Sequence, residues 1–250
     1  MRLTRWFRLP FLLLLLALPW GSGQLSGAVQ EQGEVISRTW HDVNGDGKKE
    51  QIEIILKDGE RYRDTEPWCG SGDKWEGFFL IRVVAGEQVL SEKSLNRLMY
   101  PGEEPPEALF FWGPPFTLEF GDYNDDGQPD FNLGQYGSCN GNVYRIFTID
   151  RNGEITRLPI QGSTGFFISP GNRLNSTRLL YASKGTVLFS YYDNVEARKK
   201  AGRYRWDGTQ FVPEKHPKKG AGVERQGSGN IKKSQSRRGG TKSKTLSNTK

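Results

Sequence analysis

Two short segments place oxygen-bearing side chains at regular intervals: Asp42-Val-Asn44-Gly-Asp46-Gly47-Lys48-Lys-Glu50 and Asp122-Tyr-Asn124-Asp-Asp126-Gly127-Gln128-Pro-Asp130. A hard cation such as Ca2+ takes about six to eight oxygens at roughly 2.4 Å. Donors at positions 1, 3, 5 and 9 of a loop can wrap one ion. The carbonyl of position 7 adds a ligand, and Gly at position 6 permits the sharp turn. The first loop offers Asp42, Asn44, Asp46, Glu50 and the carbonyl of Lys48. The second offers Asp122, Asn124, Asp126, Asp130 and the carbonyl of Gln128. An EF-hand would need flanking helices and a bidentate acid at position 12. That position is Glu53 in one loop and Leu133 in the other, and both loops run into β-type sequence. Two strand–loop–strand Ca2+ sites are therefore expected, with Glu53 on the polar face of the strand that follows. The bland alternative is a pair of Asp/Asn/Gly turns without metal. The same five positions filled twice argue against it.

Catalytic chemistry lacks its parts. The chain has two histidines; His216 lies in the C-terminal tail and His41 abuts the first loop, where packing or a hydrogen bond beside the site suits it better than a base role. No G-x-S-x-G elbow occurs, and Cys139 has no evident His partner for nucleophilic attack. A carboxylate pair could hydrolyse glycosides, but the many acids give no means of nominating one. A non-enzymatic protein is expected.

The elements that must carry the loops read as short strands. They are Glu34–Trp40, Gln51–Lys57, Phe78–Val84, Gln88–Ser91, Phe116–Phe120 and Phe131–Gln135, then Val143–Ile149, Glu154–Pro159, Leu179–Ala182, Thr186–Tyr192, Gly202–Arg205 and Gln210–Val212. They are rich in Val, Ile, Phe, Tyr and Leu with partial period-2 alternation. Asp150-Arg-Asn-Gly153 and Trp206-Asp-Gly208 are hairpin turns. Only Ser91–Met99 and Asn194–Ala201 read as helical. The expected fold is all-β, a sandwich or a compact propeller-like domain over 31–213. Trp68, Trp75, Phe78, Phe110, Phe111, Trp112 and Phe116 are expected mainly to fill its core. The loop Tyr100–Glu107 with the following Ala-Leu-Phe-Phe-Trp is the best candidate for an acidic and aromatic contact surface.

The halves echo one another. Each calcium loop leads into a strand, then a Gly/Ser-rich turn with a cysteine (Cys69, Cys139), then another strand, and the loops start 80 residues apart. The loops resemble those of FG-GAP/VCBS-type repeats, found in integrin α-subunit propellers and many secreted bacterial proteins. Phe120-Gly121 is the best remnant of the Phe-Gly signature, and the chain is too short for seven regular blades. The ending Arg203–Phe211 looks like the final hairpin of some small exported bacterial proteins. Similar calcium-loop periplasmic proteins include inhibitors of cell-wall lytic enzymes, so inhibition of such an enzyme is one implied function.

The ends read differently. Arg2, Arg5 and Arg8, the apolar run Phe11–Leu18 and a small-residue exit form a secretory signal peptide over 1–23, with cleavage up to about residue 28. The apolar run falls well short of the roughly 20 residues of a membrane span. A secreted or extracytoplasmic location (periplasm or cell wall) follows. There a single Cys69–Cys139 disulfide is the default, with two free buried thiols as the alternative. The net charge of +6 conceals opposite regions. From Lys215 to Lys250 there are 11 Lys and Arg against one acid, whereas residues 31–214 hold 28 acids and 21 bases. Residues 214–250 have almost nothing to bury and read as a disordered basic tail. The tail suits peripheral attachment to the envelope, or is a solvated extension; no base-reading motif accompanies it, so no specific nucleic acid is expected. These features point to an exported, calcium-binding, non-enzymatic module. Its partner would be a protein or an anionic cell-envelope polymer. A secreted carbohydrate-active hydrolase is the alternative from another class.

Overall fold

The computed structural model describes residues 33–104, 106–169 and 173–214. The expected signal peptide (1–23) and all but the first residue of the basic tail lie outside the described residues. The first sheet contains β1 (Glu34–His41), β2 (Glu50–Asp64), β3 (Gly72–Ala85) and β4 (Gln88–Ser94), followed by α1 (Leu95–Met99) and β5 (Leu109–Trp112). The second contains β6 (Phe120–Gly121), β7 (Asp130–Ser138), β8 (Gly141–Ile149), β9 (Ile155–Leu158) and β10 (Phe166–Ile168). The third is the meander of β11 (Leu180–Ser183), β12 (Thr186–Asp193), β13 (Arg198–Trp206) and β14 (Phe211–Pro213). All strand pairs within the sheets are antiparallel, and the expected all-β class is what forms.

The first two sheets share one plan. In the first, β1, β2 and β3 run in order, with β4 on one end of β3 and β5 on its other end. In the second, β6, β7 and β8 run in order, with β9 and β10 on the two ends of β8. Each Asp/Asn-rich loop, 42–50 and 122–130, connects the first two strands of its sheet.

Period-2 alternation explains the layering. Ile52, Ile54, Phe79 and Ile81 of the first sheet share a core with Phe131, Leu133, Phe147 and Ile149 of the second. Tyr144, Ile146 and Leu158 point from the second sheet into another core with Val187 and Phe211. The second sheet is therefore buried on both faces.

Several local expectations are corrected. The hairpin of β2 and β3 extends to Asp64 and Gly72, because polar ends that read as turn are paired: Lys74 Nζ lies 2.7 Å from Asp64 and the Tyr62 hydroxyl donates to Glu76. Gly59 and Gly77 face each other there, and a Cβ on Gly59 would lie 2.1 Å from the Glu76 carbonyl oxygen. Residues 91–94 pair with β3, so only Leu95–Met99 is helical, capped by Ser94. The expected helix at Asn194–Ala201 is instead a turn leading into β13, since its second half pairs with β12. Of Phe116–Phe120 only Phe120 enters a strand; Pro114 and Pro115 ahead of it have no N–H to pair. Trp75 of β3 and Phe111 and Trp112 of β5 fill the core as expected, so with Leu109 they take most of the stretch after Glu107 away from the contact surface proposed for it. Trp68 and Phe78 remain 38% and 40% exposed. Glu214, assigned to the tail, is tied to the third sheet by its N–H to the Arg203 carbonyl and by ion pairs with Arg203 and Arg205.

Cys69 and Cys139 form a disulfide between the turns of the two corresponding hairpins. The Tyr136 hydroxyl lies 3.0 Å from Cys69 Sγ, and the Tyr136 and Trp68 rings meet edge-on at 5.2 Å. The bridge closes a span of 70 residues, which constrains the unfolded chain. Replacing both cysteines by serine should lower stability by roughly 4 kcal/mol, the upper end of the chain-entropy scale. Urea unfolding of the double variant beside wild type measures it; an unchanged midpoint would show that the bridge adds nothing.

Candidate metal-binding loops

The two loops are built alike. In the first, Gly47 N–H donates to Asp42 Oδ2 (2.9 Å), Asp46 N–H to Asn44 Oδ1 (2.9 Å) and Lys48 N–H to Asp46 Oδ1 (2.8 Å). In the second, Gly127 N–H donates to Asp122 Oδ2 (3.1 Å), Asp126 N–H to Asn124 Oδ1 (3.2 Å) and Gln128 N–H to Asp126 Oδ1 (2.8 Å). Such contacts are what short Asp and Asn side chains make when the backbone reverses within one loop. The backbone repeats too: Gly45 and Asp125 at position 4 have φ of 77° and 63°, and Gly47 and Gly127 at position 6 have 85° and 79°. Asp125 is a non-glycine residue held in the left-handed region, which Asp tolerates better than most.

Position 9 closes each loop onto its sheet. Glu50 is buried at the start of β2 and accepts the Val43 N–H at 2.8 Å, with the Asn44 amide at 3.4 Å. Asp130 is wholly buried at the start of β7 and accepts the Tyr123 N–H at 2.6 Å and the Asn124 N–H at 3.3 Å, all through Oδ2. Its other oxygen, Oδ1, is enclosed without a hydrogen bond. The Thr148 hydroxyl, directly across the ladder, is near enough to favour the carboxylate but does not reach hydrogen-bond geometry. Burial, the largest influence, pushes the Asp130 pKa up to about 7, with the Asp126 charge adding to it. The Gln128 side-chain oxygen is likewise buried without a partner.

All ten expected ligand residues thus lie in two matching loops, and the loops themselves sit side by side. They line an open cleft of about 250 Å3, with Asp42 and Asn44 on one wall and Asp122 and Gln128 on the other; His41 and Arg151 complete it. His41, at the end of β1, stacks on Phe120 of β6 with ring centres 4.3 Å apart. Burial chiefly lowers its pKa, against the opposing charge of Asp42. Sequence reasoning had no access to this pairing or to Arg151, which arrives from the β8–β9 turn. Its one available signal was that His41 and Phe120 each stand just ahead of a loop. Glu53 belongs elsewhere: it is buried on the first sheet, bonded by Arg82 at 2.8 Å, Arg38 at 2.9 Å and Gln51.

Among the described residues no three Asp, Glu, His or Cys side chains are gathered so as to hold a metal ion. The loop carboxylates are turned onto backbone N–H groups of their own loops. The donor set nevertheless fits a hard cation: it is all oxygen, and the second loop keeps a buried carboxylate oxygen with nothing bound to it. No family model, curated protein or solved structure matches this chain.

Glu50 also tests loop closure without metal. In chelator, Glu50→Ala should destabilise the fold by about 1–3 kcal/mol by leaving the buried Val43 N–H unpaired, and Glu50→Gln by less. Equal urea midpoints for wild type and Glu50→Ala would show that the carboxylate does not hold the loop.

Proposed function

We propose that the protein is a calcium-binding, non-enzymatic binding module that works outside the cytoplasm on a protein or an anionic envelope polymer. The observation that carries this reading is the position-for-position match of the two loops together with the unpartnered Asp130 Oδ1. Asp42, Asn44, Asp46, the Lys48 carbonyl and Glu50 would hold one ion. Asp122, Asn124, Asp126, the Gln128 carbonyl and Asp130 would hold the other. A bound cation supplies positive charge where acidic side chains crowd. Removing a buried charge from water costs several kcal/mol unless it is compensated, and Asp130 is the residue that bears this cost most plainly.

The cleft between the loops is the natural contact surface. Arg151 stands at it, so an acidic group on a partner would meet a guanidinium there beside the two loops. The shared plan of the first two sheets favours a compact repeat architecture in which each loop caps its own sheet. A disulfide is compatible with an extracellular location, and among the described residues no helix is long and apolar enough to cross a membrane.

Calcium should raise the melting temperature of the protein. Each site adds about 1.4 kcal/mol when free Ca2+ is tenfold above its Kd. Asp46→Ala and Asp126→Ala should each remove part of the shift. Asp130→Asn should abolish the second site's share yet leave stability in chelator intact, because the amide oxygen still accepts the Tyr123 N–H. Flat calorimetric and melting responses of wild type to millimolar Ca2+ would overturn the two-site reading.

A further inference from the structure

Alternation along β8 puts Arg145 on the same face as Phe147 and Ile149, which line the core facing the first sheet. On β9, Arg157 shares the face of Ile155, another residue of that core. The register pairs Phe147 with Arg157, so Arg157 is the diagonal neighbour of Arg145. Two guanidinium groups therefore sit together at the edge of an apolar layer.

Arg145 is only 5% exposed, and its Nε and Nη1 are enclosed with no hydrogen-bond partner. Its guanidinium carbon lies 4.2 Å from the centre of the Tyr100 ring. Arg157 donates from Nη1 to the Met99 carbonyl at 3.3 Å and from Nη2 to the Thr164 carbonyl, both neutral acceptors. Neither arginine has an ion pair among the described residues. The acids closest in sequence to Tyr100 and Arg157 that form ion pairs are committed elsewhere: Glu104 pairs with Arg97, and Glu154 with Lys93.

Two other buried charges of this sheet system are compensated. Glu53 is held by Arg82 and Arg38, and buried Lys74 lies 2.7 Å from Asp64. Arg145 and Arg157 differ: they are like charges, and among the described residues no acidic side chain pairs with either. The Arg157 pKa is lowered by burial and then by the charge of Arg145. A neighbourhood that penalises its own cations gains most from an oxyanion, and planar guanidinium groups bind one bidentately.

We propose that Arg145 and Arg157, beside the ring of Tyr100, form a binding site for the carboxylate group of a small molecule or a peptide terminus. A monoanionic carboxylate is preferred to phosphate because the loop after Tyr100 carries Glu103, Glu104 and Glu107, which repel a dianion more strongly. The site uses none of the loop oxygens and stands independently of calcium.

The test uses the full chain in chelator, with calorimetry and thermal melts against acetate, N-acetylglycine, N-acetylglycinamide and inorganic phosphate. Acetate and N-acetylglycine should bind saturably and raise the melting temperature, and the uncharged amide should do neither. Tighter binding of N-acetylglycine than of acetate points to a peptide terminus, and equal binding to a free small acid. Arg157→Gln should weaken binding about tenfold or more. Arg145→Met should abolish it while leaving the ligand-free melting temperature unchanged or higher, since an apolar chain replaces an unpaired buried charge. A purely structural arginine would give the opposite sign. Absence of saturable carboxylate binding by wild type overturns the site, as does full binding by both variants. Phosphate binding as tight as that of N-acetylglycine overturns the choice of carboxylate.

Discussion

Burial of the second sheet on both faces is the constraint from which most of the structure follows. Strands β7 and β8 have no solvent side, so residues pointing either way must be apolar or fully bonded. Phe131, Leu133, Phe147 and Ile149 fill one side, and Tyr144 and Ile146 the other. Polar side chains are admitted where they replace backbone pairing. The Gln135 amide bonds both the N–H and the carbonyl of Phe110, and Asn132 does the same for Thr177. On the loop after the second sheet, Asn175 likewise brackets Trp112. Each amide offers one donor and one acceptor in nearly the spacing of a peptide group, so it ties a loop to a sheet edge that lacks a further strand.

The same constraint singles out the groups that break it. Asp130 begins β7 and also closes the second loop, so its carboxyl group is buried because of the strand and turned onto the Tyr123 and Asn124 N–H groups because of the loop. Glu50 has the same double role at the start of β2, but both of its oxygens find donors. Arg145 carries the mirror problem, a cation in the layer where Phe147 and Ile149 belong. Buried polar groups in folded proteins are bonded in the great majority, and an unbonded one calls for a specific cause. The proposals above assign one to each: a bound cation for Asp130 and a bound carboxylate for Arg145.

Tying the loops to the sheets also determines where they lie. The disulfide joins the turns at one end of the two long hairpins, and the His41–Phe120 stack joins β1 to β6 beside the loops. Between these ties, the shared core of the first and second sheets is packed from both sides. The cleft between the loops is therefore a product of sheet packing, and its shape depends on residues far from the loop oxygens.

Composition and period-2 alternation were enough to read the all-β class, most strands, the Asp150–Gly153 and Trp206–Gly208 turns and the two loops. Those features depend on neighbours within a few residues, where side-chain direction and turn chemistry are local. The Cys69–Cys139 bridge was legible from there being two cysteines in a chain expected to be exported. Other features could be decided only by tertiary structure. The hairpin ends at Arg61–Asp64 and Gly72–Trp75 lie beyond the strands expected at Gln51–Lys57 and Phe78–Val84 because their strand character comes from cross-strand partners. Asn194–Ala201 read as helix because β12, which claims its second half, enters no local window. Glu53 read as a solvent-facing strand residue, and its burial between Arg38 and Arg82 appears only once β1 and β3 flank it. Nothing local in the sequence marks Arg145 as buried. Alternation tells which residues share a face, but which faces are covered depends on contacts between residues far apart in the chain, and these set both the loop cleft and the burial of Arg145 beside the half-buried Arg157.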